Sequence, residues 1–137
     1  IRRQRQMCIR DRTKTKRILI VDDEPEAVAA IERAGIELMC EVATLDHTKA
    51  FERVVTEWQP DIVVVDVGIP DRDGYALLSV LSDLKFSGGV VVISGMPPQD
   101  LEAAARIGKM RGLNTIGAIR KPIARDDIRA VLTLAKA

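Results

Sequence analysis

Residues 61–75 read DIVVVDVGIPDRDGY. Four consecutive β-branched residues, Ile62 to Val65, run straight into a carboxylate, Asp66, and the chain then passes through Pro70 to Gly74. A short run that is apolar at every position, without polar alternation, suits a strand whose two faces are both covered. Two more stretches are built the same way. Arg17–Val21 (RILIV) ends against Asp22-Asp23, and Val90–Ile93 (VVVI) ends against Ser94.

Helical periodicity fills the intervals between these runs. Ala27 to about Leu38 carries Val28, Ile31 and Leu38 at helical spacing, with Pro25 placed for a first turn. A short strand is expected over Glu41–Leu45 and a helix over His47–Trp58, with Ala50, Phe51, Val54, Val55 and Trp58 on one face. Gly74–Leu84 reads as a helix presenting Leu77, Leu78 and Leu81 inward. Gln99–Met110 reads as another, after Pro97-Pro98. Thr115–Ile119 is a fifth strand, stopping before Lys121-Pro122, and Arg125–Lys136 a fifth helix. Five strand–helix pairs with short connections imply right-handed crossovers and an open, doubly wound parallel sheet in the α/β class.

Composition agrees with one globular domain. The 137 residues are 47% hydrophobic and 30% charged, so a core is affordable, and with only 3% aromatics that core is aliphatic. No apolar run approaches the roughly 20 residues that span a bilayer. The start of the chain lacks the apolar stretch of a secretion signal. The two cysteines, Cys8 and Cys40, have no metal-ligand partner at useful spacing, and isolated thiols fit a reducing cytoplasm. The net charge of +1 hides an asymmetry. Residues 1–17 carry eight basic residues against one acidic, and the remainder carries thirteen against nineteen. An acidic body argues against direct nucleic-acid binding. Residues 1–15 read as a basic disordered leader, or a cloning or assembly scar, rather than a nucleic-acid arm; the domain is expected over 16–137.

Polar residues mark the strand ends: Asp22 and Asp23 after the first, Asp66 after the third, Ser94 after the fourth, Lys121 after the fifth. In open α/β sheets those ends line one crevice. Three carboxylates gathered there repel one another, and a divalent cation relieves the repulsion. Mg²⁺ suits the set because it takes oxygen ligands, uses one or two carboxylates and shares phosphate oxygens. Asp66 can then act as a nucleophile forming an aspartyl phosphate, with Lys121 a mobile positive charge and Ser94 a hydrogen-bond donor for the phosphoryl oxygens.

At these residues the sequence resembles the response-regulator receiver family of two-component signalling. The resemblance rests on ILIVDDEP at 18–25, DIVVVDVGIPDRDGY at 61–75, VVISG at 91–95 and KP at 121–122, and it spans 17–137. It implies a flavodoxin-like, CheY-like sheet of five strands in the order 2-1-3-4-5 with five helices. It implies phosphorylation of Asp66, direct Mg²⁺ ligation by Asp23 and by Asp66, ligation by the backbone carbonyl of Gly68, and a water-mediated part for Asp22. Ser94 aligns with the switch hydroxyl and Lys121 with the phosphate-binding lysine, joined to Pro122 by a cis bond. The implied partners are a histidine kinase or phosphotransfer protein and an output domain or downstream protein. A homodimer through the fourth helix, fifth strand and fifth helix is also implied. Such a module is a cytoplasmic phosphoprotein and no metabolic enzyme.

Two departures stand out. The family's aromatic switch residue, three positions before its lysine, is here Ala118. The interval from Ser94 to Lys121 is also long, and KMRGLNTIGAIRKP at 109–122 resembles receivers that precede a cyclic-di-GMP phosphodiesterase (EAL) output domain. The Ala118 departure keeps one alternative in view, a phosphorylation-independent pseudo-receiver. A flavin- or nucleotide-binding enzyme on the same sheet fits less well, because no Gly-rich phosphate loop follows the first strand. Asp71-Arg72-Asp73-Gly74 reads as a helix-capping turn and not a calcium loop, since the later glutamate is missing. His47 reads as a surface residue at the start of the second helix, Trp58 as helix packing and Cys40 as a small filler.

Overall fold

Strand and helix alternate from Arg17 to Lys136 in the computed structural model, which describes residues 15–68, 74–95 and 97–136. The order is β1 (Arg17–Val21), α1 (Pro25–Glu37), β2 (Glu41–Leu45), α2 (Phe51–Trp58), β3 (Ile62–Asp66), α3 (Gly74–Asp83), β4 (Gly89–Ser94), α4 (Pro98–Met110), β5 (Asn114–Arg120) and α5 (Arg125–Lys136). The basic stretch at residues 1–14 and the turn at Asp71–Asp73, both read above, lie outside the described residues.

The strands form one sheet in the order β2-β1-β3-β4-β5, and every pairing is parallel. The central three strands are buried along their whole length, which is why their sequences carry no polar alternation. Successive side chains point to opposite faces. Leu19, Val21, Val63, Val65, Val90 and Val92 pack on one side against Phe51, Val54 and Trp58 of α2, Leu77, Leu78 and Leu81 of α3, and Leu101 of α4. Ile18, Ile20, Ile62, Val64, Val91 and Ile93 pack on the other against Ile31 and Ala34 of α1 and Ile128 and Leu132 of α5. Each such side chain contributes about 1.5–3 kcal/mol when removed from water. Trp58 is a packing residue, as read, and Cys40 is half-buried with its Sγ 3.8 Å from the Leu38 carbonyl oxygen.

Element bounds differ from the sequence reading by a residue or two at several ends, and by more than that at the second helix. The second helix starts at Phe51, four residues beyond His47. Phe51 N–H donates to the Thr48 carbonyl at 3.1 Å, so a turn precedes the helix, and the polar stretch from Asp46 to Lys49 has no apolar side chain to fix it on the sheet. His47 therefore lies in the loop after β2. The first helix begins at Pro25, whose missing N–H and preset φ suit a first turn. β5 is longer at both ends and carries a bulge: Val90 pairs with Thr115 but Val91 with Gly117, leaving Ile116 as the extra residue.

Arg17, counted above with the basic leader, is structural. Its side chain is buried, donates to the Trp58 carbonyl at 2.7 Å at the end of α2, and pairs with Glu41 at 3.3 Å. It also lies 5.4 Å from the centre of the Trp58 ring. Among the described residues no helix is long and apolar enough to cross a membrane.

Gly35 lets α1 lie directly on the sheet. A Cβ there would come within 2.8 Å of Val42 Cγ2 and 3.1 Å of Ile18 Cδ1. Alanine is the better helix former, by about 1 kcal/mol, but crowding a packed interface costs about 1–3 kcal/mol. Gly35→Ala is expected to lower the free energy of unfolding by roughly 1 kcal/mol, the difference between those effects. Urea titration checks this, and an unchanged or raised midpoint would refute the close-approach account.

Candidate functional site

Parallel pairing brings the ends of β1, β3 and β4 to one edge, and the chain leaving β5 enters the same edge at Lys121. Asp22 continues β1, its N–H donating to the Leu45 carbonyl at 3.1 Å. One of its carboxylate oxygens, Oδ1, accepts the Glu24 N–H at 3.0 Å. Asp66 is the last residue of β3, and its Oδ1 accepts the Gly68 N–H at 2.8 Å. Ser94 ends β4 completely buried, and its carbonyl accepts the Lys121 N–H at 2.8 Å. The Lys121–Pro122 bond is cis.

These anchors aim one ammonium at the acids. Lys121 Nζ lies 2.6 Å from Asp66 Oδ2, although 55 positions separate the two residues. The same nitrogen is 3.0 Å from Asp22 Oδ2 and 3.4 Å from Glu24 Oε1. Water is largely excluded: the Asp22, Asp66 and Lys121 side chains are 0%, 3% and 12% exposed. Burial pushes the Asp22 carboxyl above its ordinary value and Asp66 nearby adds to the rise, against the pull of the Glu24 N–H and the Lys121 charge. For Lys121, burial disfavours the charged form, but its contacts with Asp66 and Asp22 outweigh this and hold its pKa above the usual lysine value.

Asp23 and Gly68 sit where the chain order requires, directly after Asp22 and two residues beyond Asp66. Asp23 is exposed and lines a hollow of about 340 Å³ with Asp22, Pro25, Thr44, Asp46 and His47. His47 thus borders the acids, a placement that the sequence reading did not anticipate. Glu24 is the other residue missed there. It stands at the N-cap of α1, yet its side chain makes no capping hydrogen bond and lies against Lys121 instead. Its position directly after the acid pair was the available signal. Ala118 is exposed on β5, and its methyl leaves nothing that could swing inward as an aromatic ring would.

The donor set is compatible with a hard divalent cation. It offers carboxylate oxygens only, and Asp22 Oδ2 is buried without a well-aligned hydrogen bond. Among the described residues no three His, Cys, Asp or Glu side chains form a preassembled metal cage. That is no obstacle to Mg²⁺, which keeps several waters and uses one or two carboxylates.

Comparison with known proteins points one way. The family model described as "Response regulator receiver domain" matches residues 18–133. The DNA-binding transcriptional activator EvgA of Escherichia coli (strain K12) is 33% identical over 109 residues, covering 72% of this chain and 52% of EvgA. The transcriptional regulatory protein PrrA of Mycobacterium bovis is 36% identical over 96 residues, covering 65% of this chain and 40% of PrrA. The chain therefore spans about half the length of the curated relatives it matches, or less. A response regulator from Colwellia psychrerythraea superposes with a TM-score of 0.76 at 27% identity, covering 88% of this chain and 96% of that one.

The raised Asp22 pKa carries a stability consequence with a definite sign. A carboxyl whose folded-state pKa is raised costs stability while ionised, and the cost fades as pH falls from the raised value towards the ordinary 3.8. Asp22→Asn is expected to stabilise the metal-free protein at pH 7, with the gain shrinking on acidification. Denaturant titrations across the acid range check this; a loss at neutral pH would show that the pairing with Lys121 outweighs the burial cost.

Proposed function

The chain belongs to the response regulator receiver domain family, and from that premise we propose that Asp66 accepts a phosphoryl group from a histidine kinase or phosphotransfer protein. Receiver domains are signalling modules of two-component systems, and they work between a kinase and an output. The observation that supports the reading most is the 2.6 Å contact between Lys121 Nζ and Asp66 Oδ2 at the mouth of a parallel sheet. It sets a nucleophilic carboxylate and a phosphate-seeking cation side by side in a water-poor site.

In this mechanism an Asp66 oxygen attacks the phosphorus of the donor, forming a P–O bond as the donor's P–N bond breaks. Lys121 turns from the carboxylate towards a phosphoryl oxygen, and Ser94 donates its hydroxyl to another. Asp23, Asp66 and the Gly68 carbonyl would hold Mg²⁺, with Asp22 acting through water. Bound there, the ion supplies neutralisation of charge on the transferring group. The product slowly hydrolyses at the same site. The added charge biases the α4–β5–α5 surface, which regulates an output domain or partner in the cytoplasm and serves as a dimer face. With Ala118 in place of an aromatic, the bias passes through the Ser94 loop and α4.

The output is a proposal of its own. EvgA is named as a DNA-binding transcriptional activator and PrrA as a transcriptional regulator. That supports control of transcription through a separate domain over the phosphodiesterase output suggested by residues 109–122. A phosphorylation-independent interaction module is the weaker reading, since the acids and the lysine stand together in the site.

Acetyl phosphate with Mg²⁺ is expected to add one phosphoryl group per chain, read as a mass increment of about 80 Da. Asp66→Asn should abolish it, and chelation of Mg²⁺ should suppress it by more than about tenfold. Label retained in Asp66→Asn would overturn the assignment.

A further inference from the structure

An ammonium has three N–H bonds, and three carboxylates surround that of Lys121. Two of them are fixed. Asp22 and Asp66 are almost fully buried, and each is tied by its other oxygen to a backbone N–H, at 3.0 and 2.8 Å respectively. The third, Glu24, is different in every respect. Its side chain is 52% exposed, longer by a methylene, and 3.4 Å from Lys121 Nζ. It occupies the N-cap of α1 without capping the helix. Its backbone, by contrast, is fixed by the N–H donated to Asp22 Oδ1. Glu24 is thus an exposed acid on a fixed backbone, one ion-pair distance from the group that must reach the phosphoryl oxygens.

We propose that Glu24 is a positioning residue that holds Lys121 among the acids in the resting state and competes with the phosphoryl group for it. This inference rests on the phosphoacceptor reading of Asp66 and adds a brake to it. Once Asp66 is esterified, the oxygen bonded to phosphorus no longer carries the carboxylate charge. A phosphoryl group of about −1.5 to −2 charge stands there instead. Lys121 must then leave Glu24 or share itself with two anions that repel each other. Either course disfavours the phosphorylated state. The brake is mild, because a half-exposed ion pair is weak. A purely structural Glu24, favouring the N-terminus of α1 through its charge, would alter stability and leave phosphoryl affinity untouched.

Beryllofluoride, a phosphoryl analogue, separates the two. Its affinity is measured by calorimetry on the full chain at saturating Mg²⁺, for wild type and Glu24→Gln, with Mg²⁺ affinity measured separately. At about 20 mM salt, where charges interact over roughly 20 Å, Glu24→Gln is expected to bind the analogue about two- to fivefold more tightly. At about 1 M salt, where screening acts within about 3 Å, the difference should close to less than about 1.5-fold. Mg²⁺ affinity should not rise in either, since loss of a negative charge can only weaken cation binding. Equal or weaker analogue binding by Glu24→Gln at low salt overturns the proposal, as does a gain that salt leaves intact or that Mg²⁺ affinity shares. If wild type fails to bind beryllofluoride at all, the phosphoacceptor reading falls, and this inference with it.

Discussion

Every strand runs the same way, so every strand ends at the same edge. That constraint underlies all of the chemistry here. An antiparallel sheet would send alternate strand ends to opposite rims, and Asp66 could not then meet Asp22 after β1 or Ser94 on β4, the strands on either side of it. Parallel order in turn requires a crossover after each strand, and the crossovers are helices that cover both faces. Burial of the central strands is therefore the counterpart of the site at their ends. The same Val63, Val64 and Val65 that supply the core fix the position at which Asp66 emerges.

The site itself is held together against its own electrostatics. Burying Asp22 and Asp66 together is unfavourable, since neither is fully solvated and the two repel. Lys121 offsets that cost because it is delivered by rigid backbone: its N–H is tied to the Ser94 carbonyl, and the residue before it, Arg120, pairs with Ser94 across the sheet. A buried ion pair of this kind is weak evidence for added stability. Its arrangement suits exchange, because the lysine has alternatives. Two fixed acids set where it rests, and one exposed acid sets how readily it leaves.

How much of this was legible in the sequence depended on how local the signal was. β1, β3 and β4 announce themselves as apolar runs stopped by polar residues, and two of those stops, Asp22 and Asp66, meet at Lys121. Asp22, Asp66 and Lys121 can be grouped from the sequence, because parallel topology alone carries strand ends to one rim. The start of α2 could not be placed, since Asp46 to Lys49 carries neither periodicity nor an unambiguous cap, and a turn closed by the Thr48 carbonyl took the place of a first helical turn. The bulge at Ile116 and the close approach at Gly35 are tertiary facts with no local signature. Glu24 was passed over because an acid at a helix start has an ordinary explanation in the helix dipole. Only the direction of its side chain shows that the ordinary explanation is incomplete. Arg17 was read as the first residue of a strand, but nothing local showed that its side chain closes the base of the sheet against Trp58.

Ala118 bears on how a change at Asp66 could leave the site. A bulky ring on β5 would link the rim to the outer face by filling or vacating a space, and a methyl group cannot do that. The links that exist are made of backbone. Asp66 pairs with Ile93, the Val67 N–H donates to the Ile93 carbonyl at 3.0 Å, and the Ser94 carbonyl holds the Lys121 N–H. β4 is therefore clamped between the residue that would be modified and the residue that would respond. Beyond it, α4 lies against β5 closely enough that a Cβ on Gly108 would meet Thr115 Oγ1 at 2.7 Å, and that buried hydroxyl has no hydrogen-bond partner. A contact so tight, carrying an unsatisfied polar group, is sensitive to sub-ångström shifts of either element. The proposed coupling from the rim outward therefore has these backbone pairings and the α4–β5 packing to run through, with no ring on β5.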